Sequence, residues 1–166
     1  MEHPIIAIHI KDYGAMKAEL YPEQAPLTVA NFLKLAEEKF FDGLIFHRII
    51  EGFMLQGGGY TEDMSERRAD PIRGEFAANG FKTNTLKHEK GVLSMARTND
   101  PNSASSQFFV MHKAAPYLDG QYAGFGKVIE GEELIDRIAG VKTGNYGWYM
   151  QDVPVVPVVI ETIEIL

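Results

Sequence analysis

With 166 residues, 45% hydrophobic and 23% charged, the chain has the size and balance of one self-folding globular domain, far from the composition of a disordered segment. The absence of cysteine excludes disulfide frameworks, thiolate nucleophiles and cysteine-bound zinc. A formal net charge of -7 argues against a partner held by phosphate contacts, which need a clustered basic surface, so no nucleic acid is expected.

The start, Met1 to Ile10, carries an acid at Glu2 and a proline at Pro4 ahead of an apolar run too short for a signal peptide, and no later run is long enough to span a bilayer. The expectation is a cytoplasmic protein with no membrane contact. Ile6, Ile8 and Ile10 alternate with Ala7 and His9, and after Asp12 to Gly14 the residues Met16, Ala18 and Leu20 alternate with Lys17 and Glu19, which predicts an opening hairpin. Between Pro26 and Glu38, Val29, Phe32, Leu33 and Ala36 recur at helical spacing, with Pro26 suited to the first turn.

Strand-like runs follow at Leu44 to Ile50, Phe53 to Gln56, Gly91 to Ala96, Gln107 to His112 and Phe125 to Val128, divided by Gly, Pro, Asn and Asp clusters, a pattern that favours a closed or sandwiched β fold. A shorter helix is predicted over Glu132 to Ala139, with Leu134, Ile135 and Ile138 on one face and a stop at Gly140, and Val158 to Leu166 reads as a closing strand. Tyr60 to Glu75 and Gly140 to Pro157 are too long for plain turns and read as ordered surface loops. No repeat or linker divides the chain, so a single domain over 1–166 is expected, and the lack of an obvious extra apolar helix or strand makes a monomer the simpler expectation.

Alternation along Leu44 to Ile50 places Ile45, His47 and Ile49 on one face and Phe46, Arg48 and Ile50 on the other. An arginine among apolar neighbours on a strand is unusual, although spacing alone leaves an ion-paired or snorkelling side chain open. Met54 shares a face with Gln56, and Gln107 with Phe109, so apolar and amide groups converge around Arg48. The five histidines, at positions 3, 9, 47, 88 and 112, have no metal-ligand spacing, and no metal is expected. Gly57 to Gly59 lack the lysine and helix start of a phosphate loop. Asp63, Glu66 and Asp70 with Arg67 and Arg68 read as a solvated face, and Trp148 is open to loop packing or ligand contact.

Four ordered blocks, FHRIIEGFMLQGG (Phe46 to Gly58), GVLSMA (Gly91 to Ala96), SSQFFV (Ser105 to Val110) and YLDGQYAGFGKV (Tyr117 to Val128), resemble the signature blocks of the cyclophilins. The resemblance implies a mainly β fold, a closed eight-stranded antiparallel β-barrel capped by two α-helices, and a cofactor-free peptidyl-prolyl cis-trans isomerase acting on proline-containing peptides and unfolded protein segments. It implies a catalytic set of Arg48, Gln56 and Phe53, with Phe53 also joining Met54, Phe109 and Leu118 in a proline pocket. Ala96 and Arg97 would offer backbone groups to the residue before proline, with Gln107 lining that end of the groove. The chain departs from many members in having Tyr117 in place of Trp and Tyr122 in place of His, and from several in having Arg97 in place of Asn and Glu51 in place of Pro. Both tyrosines would still contact substrate. Because the tryptophan matters to cyclosporin in that family, only weak cyclosporin binding is expected. The alternative is a proline-recognising binding module, which would have no need of Arg48.

Overall fold

The structure, a computed structural model, describes residues 2–166. Strands β1 (Ile5–Ile10) and β2 (Gly14–Leu20) form the expected hairpin, whose turn takes Asp12 and Gly14 to φ of 69° and 118°. Helix α1 (Pro26–Glu37) starts on its proline and buries Val29, Phe32, Leu35 and Ala36. No side chain at its own start caps it. The buried carboxylate of Glu75 instead accepts the backbone N–H groups of Leu27 (3.1 Å) and Thr28 (2.7 Å) and the Thr28 hydroxyl (2.8 Å).

The run Leu44 to Ile50 is not one strand but two, β3 (Leu44–Ile45) and β4 (Arg48–Ile50), broken at Phe46 and His47. After them come β5 (Met54–Gly57) and β6 (Tyr60–Thr61), and β3 pairs with β6 while β4 pairs with β5. The break resets the pleat. Phe46 and Ile49 both enter the interior core, whereas Arg48 is exposed, which corrects the expectation that Phe46 and Arg48 share a face. Beyond β6, Arg67 is also not the solvated charge expected of it: its guanidinium donates to the carbonyls of Phe40 (2.7 Å) and Asp42 (3.0 Å). Arg68, in contrast, pairs with Glu66 in solvent.

Next in order are β7 (Val92–Met95), β8 (Phe108–Met111), β9 (Gly124–Glu130) and α2 (Glu133–Ala139), which buries Leu134, Ile135 and Ile138 as predicted. Strands β10 (Thr143–Tyr146) and β11 (Met150–Pro154) make a hairpin where an irregular loop is predicted, and β12 (Ile160–Ile165) ends the fold. Trp148, at the tip of that hairpin, is 94% exposed and touches Tyr149 edge to face.

Eight strands form one curled antiparallel sheet in the order β12-β1-β2-β9-β7-β8-β5-β4. The curl stops short of the closed barrel expected, because no ladder joins β4 to β12. The segment that would close it is divided between two pairings, and among the described residues the seam is crossed only by the Gly43 N–H to Ile160 carbonyl bond (2.8 Å), the Phe46 N–H to Val158 carbonyl bond (2.9 Å) and one bridge between Ile45 and Val159.

Period-two alternation gives the sheet two apolar faces. Leu55, Leu93, Phe108 and Val110 point into the curl, where they meet both helices and the packed rings of Phe32, Phe41 and Phe125. Met54, Val92, Phe109 and Met111 point outward and form a second cluster with Ala115 and Leu118. That outer cluster is the floor on which the site stands.

Candidate active site

Register brings the site together from strands far apart in sequence. Arg48 pairs with Gln56 across β4 and β5, Gln56 pairs with Phe109 across β5 and β8, and Phe109 pairs with Ser94 across β8 and β7. These pairs set Arg48, Gln56 and Phe109 side by side on the outer face. Beside them opens a cavity of about 160 Å³ lined by Arg48, Phe53, Met54, Gln56, Ala96, Arg97, Phe109, Leu118 and Tyr122. Nine of the eleven expected residues therefore meet at one place. Gln107 lines a larger adjoining cavity, which shares Gln56, Ala96 and Arg97 with the first. Tyr117 stands outside both, 70% exposed, with its ring 6.2 Å from that of Phe53.

Arg48 has no ion-pair partner among the described residues. Its Nη1 donates to Gln56 Oε1 at 3.3 Å, and Gln56 Nε2 donates in turn to Gln107 Oε1 at 2.9 Å, so two amides in series orient the guanidinium. Most of its donors stay free at the cavity edge. The opposite wall is apolar: Met54, Phe109 and Leu118 are buried, and Phe53 is half-buried. Such a wall excludes water without offering a competing hydrogen bond to whatever it holds.

The neighbouring glycines serve packing. Gly58 adopts φ of 89°, and a Cβ there would lie 2.8 Å from the Ser106 carbonyl, so Gly58 and Gly59 let the chain after β5 approach the entry to β8, while Gly57 lies against Ile45 and Phe46.

Residues that sequence reasoning missed stand behind the cavity. His88 lies parallel to the Phe109 ring at 6.1 Å, its Nδ1 3.0 Å from Asp119 Oδ1 and its Nε2 2.7 Å from Ser94 Oγ. Burial lowers its pKa, only partly offset by Asp119, so the ring is neutral, donating to Asp119 and accepting from Ser94. This chain backs Phe109 and, through Asp119, the adjacent Leu118. The partners lie 31 and 6 residues from His88, and no local motif announces such a set. Arg97 likewise gains an unforeseen partner in Phe76. No group of three or more potential metal-ligating side chains occurs among the described residues.

An outward cavity of about 160 Å³, with one apolar wall and an amide-held arginine at its edge, suits the gripping of a small apolar ring. Residues 5–165 match the family described as cyclophilin type peptidyl-prolyl cis-trans isomerase/CLD. The chain is 45% identical over 162 residues to peptidyl-prolyl cis-trans isomerase cyp18 of Streptomyces antibioticus, covering 92% of this chain and 93% of that one. It is 39% identical over 163 residues to peptidyl-prolyl cis-trans isomerase B of Escherichia coli K12, covering 93% and 95%. A cyclophilin type isomerase of Cryptosporidium parvum, crystallised in the presence of the dipeptide Ala-Pro, superposes with a TM-score of 0.81 at 29% identity over 98% of both chains. The chain belongs to the cyclophilin-type peptidyl-prolyl cis-trans isomerases. It is an enzyme that accelerates cis-trans exchange of Xaa-Pro peptide bonds.

Proposed function

We propose that the cavity edged by Arg48 binds the proline of flexible peptides and unfolded protein segments, and that Arg48 donates to the prolyl nitrogen as the bond twists. Rotation about a peptide bond costs roughly 18–20 kcal/mol, and uncatalysed Xaa-Pro exchange takes tens of seconds or more. Bringing it to milliseconds requires about four powers of ten, or roughly 5–6 kcal/mol. At the barrier top amide conjugation is lost and the nitrogen regains its lone pair, so a donor there helps the transition state selectively.

Arginine suits the task because it stays charged at working pH and presents planar donors. One charge-assisted hydrogen bond supplies only about 1.5–3 kcal/mol. The remainder is assigned to Phe53, Met54, Phe109 and Leu118, which hold the pyrrolidine ring, exclude water and fix one side of the bond while the other turns. Gln56 serves the arginine and the substrate backbone, and Ala96, Arg97 and Gln107 receive the residue before proline. The observation that carries this reading is the Arg48–Gln56–Gln107 chain ending opposite the apolar wall of the cavity.

Arg48→Ala is expected to lower kcat/KM on the order of 10- to 100-fold, with a smaller loss in peptide affinity measured by titration. Equal losses in both would contradict the mechanism. Arg48→Lys should recover little, since an ammonium lacks the planar fork. Cyclosporin inhibition is expected to be weaker than nanomolar, because the outer wall beside Phe53 is the exposed Tyr117 phenol instead of an indole. Nanomolar inhibition in an activity assay would refute that expectation.

A further inference from the structure

Of the three residues shared by the two cavities, Gln56, Ala96 and Arg97, only Arg97 is charged, and its guanidinium is held in place. The guanidinium carbon lies 4.7 Å from the ring centroids of both Phe76 and Tyr122. Nε and Nη2 donate to the Gln121 carbonyl at 3.2 and 2.7 Å, and Nη1 donates to the Thr98 carbonyl at 2.9 Å. A guanidinium has five N–H groups, so one on Nη1 and one on Nη2 remain uncommitted.

The larger cavity, about 520 Å³, opens along Arg97 and is bounded further out by Arg68 and Glu66. The charged lining of the two cavities together is Arg48, Arg68, Arg97 and Glu66. The one carboxylate among them accepts from Arg68 Nε at 2.7 Å, and nearby Asp100 turns its own carboxylate to the Asn102 N–H at 2.9 Å. A chain with 23 acidic and 16 basic residues thus concentrates positive charge along this groove. A local field opposite in sign to the net charge selects ligands by charge.

We propose that Arg97 makes this isomerase selective for proline segments with an acidic residue on the amino-terminal side of the proline, the carboxylate lying in the larger cavity against Arg97. The inference rests on the reading that Ala96 and Arg97 receive the residue before proline. It names the substrate class that reading leaves open.

The test measures kcat/KM by exchange NMR on peptides Ala-Xaa-Pro-Ala with Xaa as Glu, Gln or Lys, and on a peptide with Glu after the proline. In low salt, Glu before proline is expected to exceed Gln by about threefold or more, with Lys below Gln. The Glu/Gln ratio should fall toward one in about 1 M salt, where the Debye length is about 3 Å, and in Arg97→Gln, whatever that variant's absolute rate. The salt series on the wild type carries the same test if the variant does not fold. Equal rates for Glu, Gln and Lys, an equal gain from Glu after proline, or a ratio unchanged in Arg97→Gln would each overturn the inference. Turnover of no peptide would overturn the site reading beneath it.

Discussion

His47 lies one residue from the proposed catalytic arginine yet faces away from the cavity, 5% exposed, with its ring 4.6 Å from Tyr60 and its Nδ1 without a hydrogen-bond partner. Burial first, and then the charge of Arg48, lower its pKa from 6.5 to about 4. The unfolded chain therefore takes up a proton near pH 6.5 that the native protein refuses until about pH 4. Stability is full above pH 6.5 and is lost as pH falls from there to about 4, by about 3 kcal/mol. His47→Phe is expected to remove most of that slope when urea unfolding is compared across the same window, and an unchanged slope would contradict it. At this scale the sequence was informative about which residue types gather and silent about their partners. Arg48, Gln56 and Phe109 are legible through strand pleat and motif, whereas the stacking of Arg97 on Phe76 and of His88 on Phe109 depends on distant loops meeting.

Among the elements, α1 shows most clearly how a loop can be structural. Its start has proline but no local cap, and the orphan N–H groups of Leu27 and Thr28 are met by Glu75, 47 or 48 residues further on. Glu75 in turn closes the long segment from Tyr60, tying it to the helix that fills the curl of the sheet. Glu75→Ala is expected to destabilise the protein by about 2–3 kcal/mol, and Glu75→Gln by less, since an amide oxygen still accepts. A change below about 0.5 kcal/mol in urea unfolding would show that the cap contributes nothing measurable. Hairpins and helices with clean periodicity are predictable; the β10–β11 hairpin is not, because TGNYG and WYMQD carry no alternation of apolar and polar residues.

At the scale of the whole molecule, one sheet serves two purposes because both of its faces are apolar. The inward face stabilises the fold with α1 and α2, and the outward face supplies the floor of the cavity, so the geometry of the proposed site is inherited from strand register. Both helices and most strands of the large sheet could be anticipated from periodicity and turn residues, whereas β6, β10 and β11 lie in segments that read as loops. The open seam between β4 and β12 could not, since it arises where Phe46 turns inward and splits a continuous apolar run. The central claim is that Xaa-Pro bonds turn over in the outer cavity under Arg48. Two-dimensional exchange NMR on an Ala-Pro peptide tests it most directly, using catalytic amounts of the protein and of Arg48→Ala. Exchange cross-peaks that appear with the wild type and vanish with the variant, while peptide still binds both, are the predicted result. Undiminished exchange with Arg48→Ala would contradict it, as would binding without acceleration by either protein.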